Sequence, residues 1–323
     1  MSSPDLMQQF LARDTLAAAR MLSLVERGGA DADAALDALH PRTGRAHRIA
    51  VTGAGGAGKS SLVNALTRRF RSAGSTVGII AEDPTSPFSG GAVLGDRVRM
   101  THAAGDPGVF VRSLASRGSE SGLSTLACEL GDVLDAFGQD IVVLESMGAS
   151  QVETRVRFAA DTVVVVMTPE SGDEVQSIKA GLLEVADVLV VNKSDRPGAD
   201  ALLGDLTALV SMRAERDGWN VPVVATVASR EEGIDALDAA LAAHRTHLDA
   251  AGRRKLRRRE ALRQRLRALT EARALAGLWQ SPTLVAGLDA IFERVAAGAV
   301  SPGRAARELA ARIRVDSPTS FTE

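Results

Sequence analysis

The chain has 323 residues, 45 % hydrophobic and 24 % charged, enough for one large or two modest domains with an ordinary buried core. Its 38 Lys and Arg nearly cancel 40 Asp and Glu, so no global field selects nucleic acid or a membrane surface as a partner. One cysteine, Cys128, excludes an intrachain disulfide and favours a reducing compartment; without ligand or catalytic spacing around it, it reads as a small buried hydrophobe. The charged N-terminus is neither a secretory signal nor a membrane span, and the longest apolar run, TVVVVMT, is only strand length. A cytoplasmic protein is expected.

In chain order, residues 1–44 predict a helical extension, with Leu16, Ala19, Leu22 and Leu24 on its apolar stripe. The turn HPRTGRAH leads to HRIAVTG as a strand, GKSSLVNALTRRFRSAG as a helix ended by Gly74, and STVGIIAED as a second strand. VFVRSL, IVVLES, TVVVVMT, VLVVNKS and VPVVATV follow as further short apolar runs separated by helix-length segments. β-Branched runs without polar alternation predict buried parallel strands, hence a doubly wound α/β sheet over residues 45–245. Residues 246–323 predict a helical extension that includes RRKLRRREALRQRLRAL. That run reads as a solvated face with a packing stripe, or as a phosphate-binding surface; an inter-subunit helix is compatible with the first. No aromatics interleave it, which weighs against nucleic acid.

GAGGAGKS fits the phosphate-loop pattern G-x-x-x-x-G-K-[ST], with Gly53, Gly58, Lys59 and Ser60 at the defining positions. Gly55, Gly56, Ala57 and Ser61 complete the predicted cradle, where backbone N–H groups converge on phosphate oxygens. Lys59 would supply charge to the β and γ phosphates, and the Ser60 hydroxyl would ligate Mg²⁺. Base identity follows from NKSD: a carboxylate at Asp195 accepts from N1–H and the exocyclic amine of guanine, and adenine offers no such pair. Asn192 and the stem of Lys193 would hold the loop and cover the base, with Thr226, Val227 and Ala228 as a weaker base-side loop. Strand-end acids Asp83 and Glu145, with Asp96 one loop later, are candidate Mg²⁺ ligands. Gly148 is a candidate γ-phosphate donor, and Gln151 either orients the attacking water or merely starts a helix.

These residues together resemble the MeaB/ArgK family of GTPases, chaperones of methylmalonyl-CoA mutase. The matching stretches are PRTGRAHRIAVTGAGGAGKSSLVNAL, AEDPTSPFSGGAVLGDRVRM, VLESMGASQVE and SGDEVQSIKAGLLEVADVLVVNKSD, and the likeness spans roughly residues 10–315. The resemblance implies GTP hydrolysis to GDP, coupled to loading, gating or protection of adenosylcobalamin in an acyl-CoA mutase. It implies a homodimer through the C-terminal part. GDEVQSIK, with Asp173, Glu174 and Lys179, would be a mobile switch reporting nucleotide state, or a capped helix start. The phosphate loop looks more like that of G domains fused to isobutyryl-CoA mutase, so a mutase other than the methylmalonyl enzyme is an alternative partner. A small-molecule kinase would lack a guanine reader. A nickel metallochaperone GTPase would carry a Cys/His cluster, whereas this chain has one Cys and five scattered His.

Overall fold

A computed structural model describes residues 3–83, 105–115, 123–146, 154–170, 184–212, 218–280 and 282–310. Seven strands form one sheet in the order β3-β2-β4-β1-β5-β6-β7, and every pairing is parallel. They are β1 (His47–Gly53), β2 (Val77–Asp83), β3 (Val109–Ala115), β4 (Ile141–Glu145), β5 (Thr162–Met167), β6 (Val188–Asn192) and β7 (Val223–Thr226). Each coincides with a run expected from sequence. In β5 every residue is buried, with Val163, Val165 and Met167 in one core and Val164 and Val166 in the other. Sheet faces covered on both sides are what those unbroken valine runs require.

The second face is packed by α4 (Lys59–Ser72) and α7 (Ile234–Asp249). The first is packed by α5 (Thr125–Phe137), α6 (Ala199–Ser211) and the N-terminal helices α1 (Ser3–Leu11), α2 (Thr15–Arg27) and α3 (Ala30–Leu39). The buried stripe of α2 is Ala17, Ala18, Met21, Leu22 and Val25, at spacings of 1, 3 and 4. Of the four residues expected there only Leu22 is buried, and Leu16 is 57 % exposed. The helix is capped by Asp14, whose carboxylate accepts from Ala17 N–H at 2.6 Å, so Leu16 falls in the first turn, outside the packed face. Cys128 is half-buried against the first core.

Compactness divides the chain after Leu262. The long helix α8 (Arg253–Gln280) therefore begins in the first unit. There its basic residues make ion pairs: Arg257 grips Asp187 through both nitrogens at 2.9 and 2.6 Å, and Arg258 grips Asp161 at 2.7 and 2.6 Å. Asp187 and Asp161 are almost fully buried. The packing reading of this run holds for these two residues. In the second unit α9 (Pro282–Ala296) packs on α10 (Pro302–Ala310), and Arg294 pairs with Glu308 at 3.0 Å. Among the described residues no helix is long and apolar enough to cross a membrane.

Candidate functional site

β1 lies between β4 and β5, with the chain turning to opposite sides of it, and such switch points open a crevice at the carboxyl ends of the strands. The phosphate loop fills that crevice and ends in α4, whose N-terminal N–H groups face it. Two glycines are dictated by space. A Cβ on Gly53 (φ +144°) would sit 2.1 Å from the Val166 carbonyl oxygen, and one on Gly58 (φ +87°) would sit 2.4 Å from Asn192 Nδ2. Gly55, Gly56 and Ser61 stand exposed at the rim, and Ala57 is buried beneath.

The Lys59 side chain is 93 % buried and bends back, so that Nζ donates to the carbonyls of Gly53 and Ala54, both at 3.0 Å. An ammonium held by two carbonyl dipoles of its own loop is poised to exchange them for phosphate oxygens. Beside it, Ser60 Oγ donates to Glu145 Oε1 at 2.6 Å. The hydroxyl thereby spends its proton on the carboxylate and has lone pairs left to offer a cation. One hydroxyl and one carboxylate, both hard oxygen donors, fit Mg²⁺, which commonly takes one or two protein ligands and completes its shell with phosphate and water. No cluster of three or more His, Cys, Asp or Glu fit for a metal occurs among the described residues. Asp83 ends β2, two residues beyond the Ala81–Glu145 pair in register. Its side chain, and all of Asp96, Gly148, Gln151, Asp173, Glu174 and Lys179, lie outside the described residues.

Asn192 ends β6 and is 2 % exposed. Its Nδ2 donates to the Ala57 carbonyl at 2.8 Å, while Oδ1 accepts from Thr226 Oγ1 and Ala228 N–H, both at 3.1 Å. One amide thus ties the phosphate loop to the segment after β7. Within that segment Val227 N–H is also engaged, to the Glu232 carbonyl at 3.0 Å, so these residues brace Asn192. Lys193 adopts a left-handed backbone (φ +56°) and its ammonium reaches Glu170 at 3.2 Å. Asp195 is 38 % exposed, with Arg230 3.5 Å away. Sequence reasoning passed over Arg230, Glu170 and the buried Ser146–Thr52 hydroxyl pair at 2.9 Å, which braces the strand end beside Glu145. No motif signals any of the three.

Residues 18–283 match the family model described as methylmalonyl Co-A mutase-associated GTPase MeaB. A putative GTPase of Pyrococcus abyssi is 40 % identical over 305 residues, covering 94 % of each chain. The fused isobutyryl-CoA mutase of Cupriavidus metallidurans is 35 % identical over 247 residues, 73 % of this chain and 22 % of that protein. A crystal structure of an LAO/AO transport system kinase superposes with a TM-score of 0.72 at 27 % identity, covering 96 % of this chain and 97 % of that one. With a phosphate loop tied through Asn192 to the segment after β7 and relatives matching along most of its length, the chain is a GTP hydrolase and belongs to the MeaB family of mutase-associated GTPases.

Proposed function

We propose that this GTPase is a nucleotide-driven chaperone of a cobalamin-dependent acyl-CoA mutase, gating or protecting adenosylcobalamin in its partner. The convergence of Lys59, Ser60 and Glu145 on one loop carries the nucleotide half of this reading. The mutase half is supported by the family description and by a relative that holds a matching segment within a fused isobutyryl-CoA mutase. The partner is the methylmalonyl enzyme or a related mutase. Leu266, Leu275 and Phe292, exposed in the second unit, support a homodimer through the C-terminal part. We take the protein to work in the cytoplasm, without nucleic acid or membrane.

In the proposed mechanism Lys59 leaves the loop carbonyls for the β and γ oxygens of GTP and neutralises charge that grows in transfer to water. Mg²⁺, held by Ser60 with Glu145, Asp83 and Asp96 directly or through water, would draw charge from the same oxygens. Gly148 would donate to the γ-phosphate, and Gln151 would orient the water. The bases are sorted by Asp195, with the Lys193 stem covering the ring and Asn192, Thr226, Val227 and Ala228 as its scaffold.

Calorimetry tests the base reader. Asp195→Asn is expected to weaken GDP binding by roughly 1.5–3 kcal/mol, ten- to hundredfold, and to favour xanthine nucleotides. Equal affinity of the wild type for ADP and GDP would remove the reader. Glu145→Ala should slow hydrolysis at least about tenfold, some 1.4 kcal/mol of barrier; a wild-type rate would misplace the metal site. The partner test adds purified methylmalonyl- or isobutyryl-CoA mutase and follows phosphate release. Faster hydrolysis is expected with the cognate enzyme, and Asp173→Ala or Lys179→Ala should lessen the gain while sparing the basal rate. A mutase can be regulated only if it binds the GTP and GDP forms differently, so linkage demands this reciprocal effect. If neither mutase binds or alters turnover under any nucleotide, the chaperone reading fails and the GTPase remains.

A further inference from the structure

A recess of about 450 Å³ opens at the amino ends of β1, β2 and β4, between the N-terminal helices and α7. Strands of five to seven residues rising about 3.3 Å each put it roughly 20 Å from the phosphate loop, at the opposite ends of the strands. Four guanidinium groups line it: Arg13, Arg42, Arg45 and Arg245. None of the four has an ion pair or a side-chain hydrogen bond among the described residues. Elsewhere in this unit Arg48, Arg71, Arg112, Arg257 and Arg258 all meet carboxylates.

Two carboxylates share the wall, and both are already engaged. Asp135 accepts backbone N–H bonds from Gly44, Arg45 and Ala46 at 2.8–3.1 Å and pairs with Arg48 at 2.9 Å. Asp140 accepts from the Thr76 N–H and hydroxyl, each at 2.8 Å, and its charge acts on Arg13 and Arg245, so one carboxylate faces several guanidinium groups. The recess is therefore left with more positive charge than its own acids can balance. Its frame is also fixed. Residues 44–46 are clamped from both sides, their N–H groups by Asp135 and the carbonyls of Gly44 and Ala46 by Arg258. Arg13 takes a left-handed backbone (φ +67°), a conformation costing a non-glycine residue roughly 1–2 kcal/mol. Its guanidinium lies over the Phe137 ring at 6.0 Å and against Gly138, where any Cβ would strike it at 1.7 Å.

A lone exposed arginine is simply solvated. These four are exposed as well, but gathered around one concavity they repel one another, and an anion seated among them relieves that repulsion. Guanidinium forks match phosphate two N–H bonds at a time, and one phosphate takes about two forks. We propose that this recess is a second anion site that takes the diphosphate group of a small soluble ligand, separate from the GTP site.

The test uses the full-length protein saturated with Mg²⁺ and GDP bearing a fluorescent reporter, so that the phosphate loop is filled and its release is visible. Titrated calorimetrically, inorganic pyrophosphate is expected to bind with a Kd of about 0.1 mM or below, near −5.5 kcal/mol, without displacing GDP. Orthophosphate should bind at least tenfold more weakly. The paired substitution Arg42→Gln with Arg245→Gln should weaken pyrophosphate at least tenfold and leave GDP affinity unchanged, and Arg245→Glu alone should do the same. An ADP arm distinguishes sources: binding as tight as pyrophosphate points to a diphosphate carried on a larger molecule, and its exclusion to the free ion. No pyrophosphate binding at millimolar concentration, binding only with loss of GDP, or unchanged affinity in both variants would overturn the site.

Discussion

Replacing Gly53 by alanine should abolish tight nucleotide binding and destabilise the fold by about 3 kcal/mol or more, whereas Gly56→Ala should cost only about 1 kcal/mol. Both glycines have positive φ, +144° and +75°, so both substitutions carry backbone strain. The difference is what a methyl would meet. At Gly53 it meets the Val166 carbonyl at 2.1 Å, a backbone oxygen in the parallel pairing of β1 with β5 that cannot move without opening the sheet. At Gly56 nothing lies within 4 Å. Urea denaturation with GDP calorimetry measures both quantities, and similar losses in the two variants would show that space around Gly53 is not what limits the loop.

Acid should destabilise this protein from pH 6.5 downward, well before the carboxylate range. His47 Nε2 and His244 Nδ1 share the Thr162 hydroxyl at 2.8 Å each, at the amino ends of the strands, and both rings are at most 3 % exposed. Burial drives the His47 pKa down to about 3 against the attraction of Asp161, and that of His244 down to about 4 against Asp187. Both folded values lie below the unfolded 6.5, so the unfolded chain binds more protons and stability rises with pH. The contribution is complete above pH 6.5 and is lost as pH falls toward the folded values. At 1.36 kcal/mol per unit, each histidine removes about 2 kcal/mol by pH 5. Asp161 and Asp187 add a second, more acidic loss: burial would raise their pKa, but the hydrogen bonds and charge of Arg258 and Arg257 hold both below the ordinary value. Denaturation midpoints at pH 7.5 and 5.0 decide the matter. Equal midpoints would mean that these rings are already charged, or already wet.

The strands were legible because each is a short β-branched run whose neighbours are turns, and burial on both faces leaves no period to misread. The phosphate-loop motif and NKSD stood out because each is local in sequence, eight consecutive residues in one case and four in the other. What stayed hidden is made of pairs far apart in sequence. Asp187 and Arg257 are 70 residues apart, Asp161 and Arg258 97. A charge in a sequence reads as solvated until its partner is known. In α2, Leu16 looked like core by helical spacing, and the cap at Asp14 set the phase otherwise. Arg13 and Arg245, which meet in one recess, come from opposite ends of the first unit.

The grip of Arg257 and Arg258 decides where a minimal nucleotide-binding fragment can be cut. The sheet domain expected from sequence ends at residue 245, and a gene shortened there would encode every expected nucleotide-binding motif while deleting both guanidinium groups. Asp161 and Asp187 would then be left as buried carboxylates with no cation, a loss of the order of 3–5 kcal/mol apiece. Such a fragment would be expected to accumulate as insoluble material, and one extended through Leu262 to fold. Length of expressed chain, in this protein, is set by two arginines beyond the last motif.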